Sequence, residues 1–170
     1  MTHWDPEAGL TCYLYSLTAQ SCLKGLGFIE AYNNAVTMLQ KVVPPGEIGE
    51  AAKRLADRLA KVTFWPEQAL RPTGHTVDTL ACALWCAANS ESFEQAVVKA
   101  VNLGGDADTV GAVTGGLAGI MYGYGAIPVR WITKFSDSQR EKLEVAVVGL
   151  IRVTSDFPSN GHCTAGTGPY

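Results

Sequence analysis

Apolar residues recur along this chain at helical spacing, and no stretch alternates as a half-buried strand would. Residues that start or stop helices bracket each run. Asp5-Pro6-Glu7 offers an N-cap acceptor, a proline at the first helical position and an acid in the first turn. The helix opened there runs to about Lys24, with Leu10, Tyr13, Leu14, Leu17 and Ser21 on one face, and Gly25 and Gly27 break it. A second helix covers about Phe28 to Lys41 and is stopped by Pro44-Pro45-Gly46. From Glu47 to about Lys61 the pattern is amphipathic, with Ile48, Ala52, Leu55 and Leu59 opposite Glu50, Lys53, Arg54 and Asp57. Residues 62 to 75 read as irregular.

Thr76 to Ala88 is then an apolar helix, and Ser90 or Ser92 caps another from Phe93 to about Asn102, closed by Gly104-Gly105. Asp106 opens a glycine-rich helix, Pro128 to Trp131 begins a short helical piece, and Ser136-Asp137-Ser138 caps a last helix from about Gln139 to Thr154. Seven or eight helices with short connections predict one all-α domain, a compact bundle over residues 1–157. The Gly-, Ser-, Thr- and Pro-rich tail, 158–170, is expected to be mobile.

Composition narrows the function classes. Among 170 residues 47% are hydrophobic and only 17% charged, so the chain either encloses a well-buried core or covers part of its surface with a partner. The net charge of −3 and the scattering of 13 Lys and Arg speak against a nucleic-acid partner. Val110 to Val129 carries no charge and is long enough to span a bilayer, but seven residues' worth of Gly and Pro interrupt it, from Gly111 to Pro128. A buried core helix is expected there and no membrane partner. Cys12, Cys22, Cys82, Cys86 and Cys163 are odd in number and no signal peptide is read ahead of them, which suggests free thiols in a cytoplasmic protein.

The densest chemical signal is Asn102-Leu103-Gly104-Gly105-Asp106-Ala107-Asp108-Thr109-Val110-Gly111. Gly104 and Gly105 allow a sharp turn and a close approach without a Cβ. Asp106, Asp108 and Thr109 then present two carboxylates and a hydroxyl where one helix gives way to the next. Such hard oxygen donors suit Mg²⁺, Mn²⁺ or Ca²⁺. Another reading needs no metal: Asp106 is a good N-cap, and Asp108 in the first turn complements the helix dipole. Gly111, Gly115 and Gly119, spaced by four, line one face and imply that a neighbouring helix packs closely against that backbone.

The run from Asn102 to Gly119, followed by Ile127-Pro128-Val129-Arg130-Trp131, resembles the C-terminal signature of the ADP-ribosylglycohydrolase family. Gly74-His75-Thr76-Val77-Asp78-Thr79-Leu80, Ala83-Leu84-Trp85 and Ser92 to Val97 match it in order and spacing, and Thr2-His3-Trp4-Asp5-Pro6 resembles a segment from midway along family members. The resemblance implies an all-helical hydrolase holding two Mg²⁺ or Mn²⁺ ions. Its substrates would be ADP-ribose-type small molecules or ADP-ribosylated proteins, cleaved at the glycosidic bond. It makes Asp106, Asp108 and Thr109 metal ligands, with Asp106 touching both ions. His3 would face the ribose or phosphate end of the substrate, with Gly104, Gly105 and His75 also at the substrate.

The resemblance is to the family's C-terminal half. The Thr-Asp-Asp metal cluster and the general acid–base candidate of the family's first half have no counterpart in this sequence. A truncated relative, exposing apolar helix faces to a second copy or a complementing chain, is therefore expected. The alternative function is a non-catalytic helical protein that binds ADP-ribose or serves as a structural partner.

Overall fold

The computed structural model describes the backbone of residues 5–42 and 46–155 and the side chains of 5–41 and 46–150. His3, Trp4 and the 158–170 tail with His162 and Cys163 lie outside the described residues. Within them the chain is all-α, with no strand: α1 (Pro6–Leu23), α2 (Phe28–Val42), α3 (Glu47–Leu59), α4 (Thr76–Ala88), α5 (Phe93–Asn102), α6 (Ala107–Tyr122), α7 (Val129–Ile132) and α8 (Asp137–Ser155). The stretch read as irregular contains two single 3₁₀ turns, Val62–Phe64 and Glu67–Ala69.

The starts of the helices follow from their caps. Asp5 Oδ1 accepts from the Glu7 and Ala8 N–H groups at 2.8 and 3.1 Å, satisfying two donors that the helix cannot pair internally. Ser92, not Ser90, caps α5 by accepting from the Gln95 N–H at 3.1 Å. At α8 Ser136 and Gln139 bond reciprocally, a capping box that starts the helix two residues before the position expected from its apolar pattern.

The chain divides into two compact units, Met1–Pro128 and Val129–Tyr170. In the first, the main core joins Leu10 and Leu14 of α1, Tyr32 and Leu39 of α2, and Leu55 and Leu59 of α3 to Val77, Leu80 and Leu84 of α4 and Leu117 of α6. Burying each Leu contributes about 1.5–3 kcal/mol relative to exposure. Tyr32 lies in this core because its hydroxyl donates to the Leu59 carbonyl at 2.6 Å, which satisfies the one polar atom it carries inside. Ile48, expected on the buried face of α3, is instead exposed in its first turn. A second cluster unites Leu70, Cys82, Trp85, Cys86, Ala100 and Val110.

The glycine-rich helix α6 is a core helix, burying Val110, Thr114, Leu117 and Ala118. No described helix is long and apolar enough to cross a membrane. The expected close approach of a neighbour exists at two of the three spaced glycines. A Cβ at Gly111 would stand 3.0 Å from Val101 and one at Gly115 3.8 Å from Val97, both side chains on α5. Gly119 faces open space, and the tightest contact on α6 falls at Gly116, where a Cβ would come within 2.4 Å of the Tyr15 hydroxyl of α1.

Cys82 and Cys86 are buried free thiols, as their place in an apolar helix suggested. Burial, helped by its neighbour Cys82, pushes the Cys86 thiol up to about 12, and burial raises Cys82 as well. Only the thiolate reacts, so both resist alkylation while the exposed Cys12 does not. Iodoacetamide at pH 8 followed by peptide mapping should label Cys12 within minutes and leave Cys82 and Cys86 unlabelled until the protein is unfolded. Equal labelling of the three in the native protein would contradict this packing.

Candidate functional site

The elements that carry chemistry converge where α1, the start of α4 and the start of α6 meet. A cavity of about 540 Å³ opens there. Its walls are Thr11, Cys12, Tyr15 and Ser16 of α1, Gly74 and Thr76, Thr79 and Leu80 around the start of α4, and Thr109 and Val113 of α6. The polar groups on these walls are mostly hydroxyls. Thr11 and Thr76 already touch, Oγ1 to Oγ1 at 2.6 Å, tying α1 to α4 beneath the cavity, and the Tyr15 hydroxyl donates to the Val113 carbonyl of α6 at 3.3 Å.

Asp106 and Asp108 stand at the entrance of α6. The turn before them is built on two consecutive left-handed residues, Gly104 with φ +77° and Gly105 with φ +58°, conformations that side chains other than glycine rarely adopt. Gly105 also lies against residues 72–75: a Cβ there would sit 2.0 Å from the Pro72 carbonyl oxygen. The next amide, that of Asp106, donates to the same oxygen at 2.9 Å. Beside it Gly74 leaves room for the Asp106 carboxylate, whose Oδ2 would be 2.8 Å from a Cβ at that position. The closeness that Gly105 permits is thus taken up by protein backbone, whereas Gly104 faces open space.

The two acids differ in what they bind. Asp106 occupies the N-cap position of α6 but makes no side-chain capping bond, so the metal-free reading of this residue as a cap does not describe its carboxylate. Asp108 accepts from the Thr109 N–H at 3.0 Å, a local engagement of one oxygen. The Asp108 carboxyl is held below its ordinary range, first by a hydrogen bond with the Asp106 carboxyl and then by backbone N–H groups of Thr109 and Asp108 itself. Two neighbouring carboxylates repel unless a proton or a cation lies between them. With the Thr109 side chain at the cavity wall, this donor set of hard oxygens fits a divalent cation of the Mg²⁺ or Mn²⁺ type. Among the described residues, no group of three or more His, Cys, Asp or Glu side chains gathers here or elsewhere.

Of the other site residues named from sequence, His3 lies outside the described residues. His75 sits just before α4, exposed, its Nε2 3.8 Å from Glu7 Oε2 of α1. What sequence reasoning missed is the strap that supports Asp106. Asp78, in the first turn of α4 and nearly buried, accepts from Arg58 Nη2 at 2.8 Å and from the Thr73 hydroxyl at 3.0 Å. Thr73 Oγ1 accepts in turn from the His75 N–H at 3.2 Å, and the Thr79 hydroxyl donates to the Thr73 carbonyl at 2.8 Å. The one hint in the sequence is an acid in an otherwise apolar helix that buries nearly every residue, a place where a carboxylate must have partners.

A helical cluster with a Gly-Gly-Asp-x-Asp-Thr turn beside a hydroxyl-lined cavity defines a helical protein with an acidic, oxygen-donor centre. The sequence model of the ADP-ribosylglycohydrolase family matches residues 1–158, and the chain belongs to that family. It is 32% identical over 139 residues to an ADP-ribosylarginine hydrolase, Tri1, of Serratia proteamaculans, a match covering 82% of this chain and 35% of that protein. It is 34% identical over 139 residues to the protein of that name from Pseudomonas putida, covering 82% and 34%. Over 102 residues it is 32% identical to the ADP-ribosyl-[dinitrogen reductase] glycohydrolase of Rhodospirillum rubrum, covering 60% and 34%. The chain thus spans about a third of the length of the curated relatives it matches.

Proposed function

We propose that this chain supplies Asp106, Asp108 and Thr109 to the divalent-cation site of an ADP-ribosylglycohydrolase that cleaves the glycosidic bond between ADP-ribose and a protein side chain, arginine in particular. The observation that carries the reading is that Asp106, at the N-cap of α6 and two residues before Asp108, makes no capping bond and lies against Gly74. The names of the relatives support the substrate: two are ADP-ribosylarginine hydrolases, and a third acts on an ADP-ribosylated protein.

A bound Mg²⁺ or Mn²⁺ supplies Lewis-acid polarisation and lowers the pKa of a water. Asp106 and Asp108 hold the negative charge that retains the cation, and α6 keeps them on a rigid support. The Thr109 hydroxyl lines the cavity, and the Ser16 and Thr76 hydroxyls, which donate to the Cys12 carbonyl and to Thr11 Oγ1, keep acceptor lone pairs for ribose hydroxyls, while His75 stands outside with Glu7 at hand. No residue of this chain is assigned as the general acid or base.

Incubating the protein with an ADP-ribosylated arginine peptide and Mg²⁺ tests the proposal. Release of ADP-ribose is expected once the complementing chain is present, stopped by chelation and reduced roughly 100-fold or more by Asp108→Asn. One observation favours a second reading, a relative that binds ADP-ribose without turnover: the two carboxylates have no third acid, His or Cys beside them among the described residues. Binding without release, abolished by Asp108→Ala, would select it. If Mg²⁺, Mn²⁺ and ADP-ribose all leave thermal stability unchanged, neither reading holds, because a ligand of the native state raises its stability. The expected second copy or complementing chain belongs to this proposal too. Leu143 and Val147, exposed one turn apart on α8, support it as an apolar stripe of the kind such a partner covers.

A further inference from the structure

The strap at residues 72–75 is built more firmly than a surface loop requires, and its bonds all lead toward Asp106. Asp78 has a side chain only 12% exposed, and it is satisfied on both oxygens, by Arg58 at 2.8 Å and by Thr73 at 3.0 Å. Thr73 is held from three sides: its hydroxyl binds Asp78 and the His75 amide, and its carbonyl accepts from Thr79. The residue before it, Pro72, turns its carbonyl to the Asp106 N–H at 2.9 Å, and the residue after it, Gly74, borders the Asp106 carboxylate. One end of this chain of contacts is therefore an ion pair between α3 and α4 whose acid is nearly buried and whose Arg58 reaches in from the surface. At the other end lie the backbone and side chain of the acid best placed to hold a cation.

We infer that Asp78, together with Arg58 and Thr73, positions Asp106: the ion pair fixes the strap, and the strap fixes the Gly104–Gly105–Asp106 turn from which the carboxylate is presented. The inference rests on the cation reading for its purpose, but the positioning itself concerns the apoprotein. A hydrogen-bonded charge in a poorly solvated place keeps its partner's geometry more tightly than a neutral contact does, because losing either partner leaves an unpaired polar group. Supporting residues of this kind typically change metal affinity by about 10–100-fold when removed.

Two readouts separate the inference from the reading beneath it. Thr73→Val keeps the shape of the side chain and removes the hydroxyl, Thr73→Ser keeps the hydroxyl, and Asp78→Asn removes the charge. Amide hydrogen exchange, followed residue by residue without metal, should show the Asp106 N–H exchanging about tenfold faster in Thr73→Val and Asp78→Asn. The Leu14 N–H in α1 should keep its wild-type rate, and Thr73→Ser should match wild type at both. Titration with Mn²⁺, read by the resonance signal of the free ion, should show about tenfold weaker binding in the same two variants. Should Asp78→Asn fail to fold, Thr73→Val alone decides. An unchanged Asp106 rate in Thr73→Val overturns the inference, and so does an equal acceleration at Leu14, which would mean general destabilisation. Mn²⁺ binding no tighter in wild type than in Asp108→Asn overturns the cation reading whatever the Asp106 amide does.

Discussion

Gly105→Ala is expected to abolish the proposed cation binding and to cost about 2 kcal/mol or more of stability. Two effects act at once. A side chain at φ +58° is strained by itself, by about 1–2 kcal/mol. The added Cβ would also lie 2.0 Å from the Pro72 carbonyl oxygen, a backbone atom held in place by its neighbours and unable to swing aside as a side chain could. To make room, the turn must withdraw from the strap, and the Asp106 N–H then loses its 2.9 Å bond to the same oxygen. Gly104→Ala is the control, since φ is +77° there but a Cβ meets open space. Urea unfolding should place Gly105→Ala below Gly104→Ala in stability, and Mn²⁺ binding should survive only in the latter. Equal stability in the two variants would mean that the approach to Pro72 does not constrain the turn.

Leu117→Ala lowers stability by about 3 kcal/mol, within the range measured for cavity-forming Leu truncations, and the melting temperature by roughly 6–12 °C. Leu117 is completely buried, two residues beyond Gly115, the second of the glycines that let α6 approach α5, and it belongs to the same cluster as Leu14, Leu55 and Leu84. Its removal leaves a void bordered by rigid helices. The glycine-rich backbone of α6 offers few side chains to collapse into that void. A loss below about 1 kcal/mol, measured by calorimetry or denaturant, would show that α6 is held mainly by something other than this core.

The sequence made the helices legible because capping chemistry is local. Asp5-Pro6 and Ser92 announce helices whose observed bounds lie within a residue or two of the expected ones, and Thr76–Ala88 and Phe93–Asn102 coincide with them. The two 3₁₀ turns between α3 and α4 left no such trace, since three residues are too few for a hydrophobic period to register. The glycines of α6 show a limit of a different kind. A spacing of four identified a common face, and Gly111 and Gly115 do meet α5. Yet Gly116 lies about 100° further round the helix, and only the presence of Tyr15 on the opposite neighbour makes it the tightest position.

At the site, the Gly-Gly-Asp-x-Asp-Thr turn could be read directly, along with the two uses its acids might serve. The strap could not. Arg58, Thr73 and Asp78 are 15 and 5 residues apart in the chain and acquire a common purpose only when α3 packs beside α4. Likewise, Thr11 and Tyr15 are not among the residues that the apolar spacing of α1 singles out, and they gain a role at the cavity only from the fold.

The proposed chemistry requires that the space between the Asp106 and Asp108 carboxylates take a divalent cation. Crystals of the protein grown with millimolar Mn²⁺ and measured for anomalous scattering settle it most directly. An anomalous peak bonded to oxygens of both carboxylates, at about 2.0–2.3 Å, is the predicted result. A map with no peak there, showing the Asp106 oxygens turned onto the first amides of α6, would contradict it and leave the pair as helix caps.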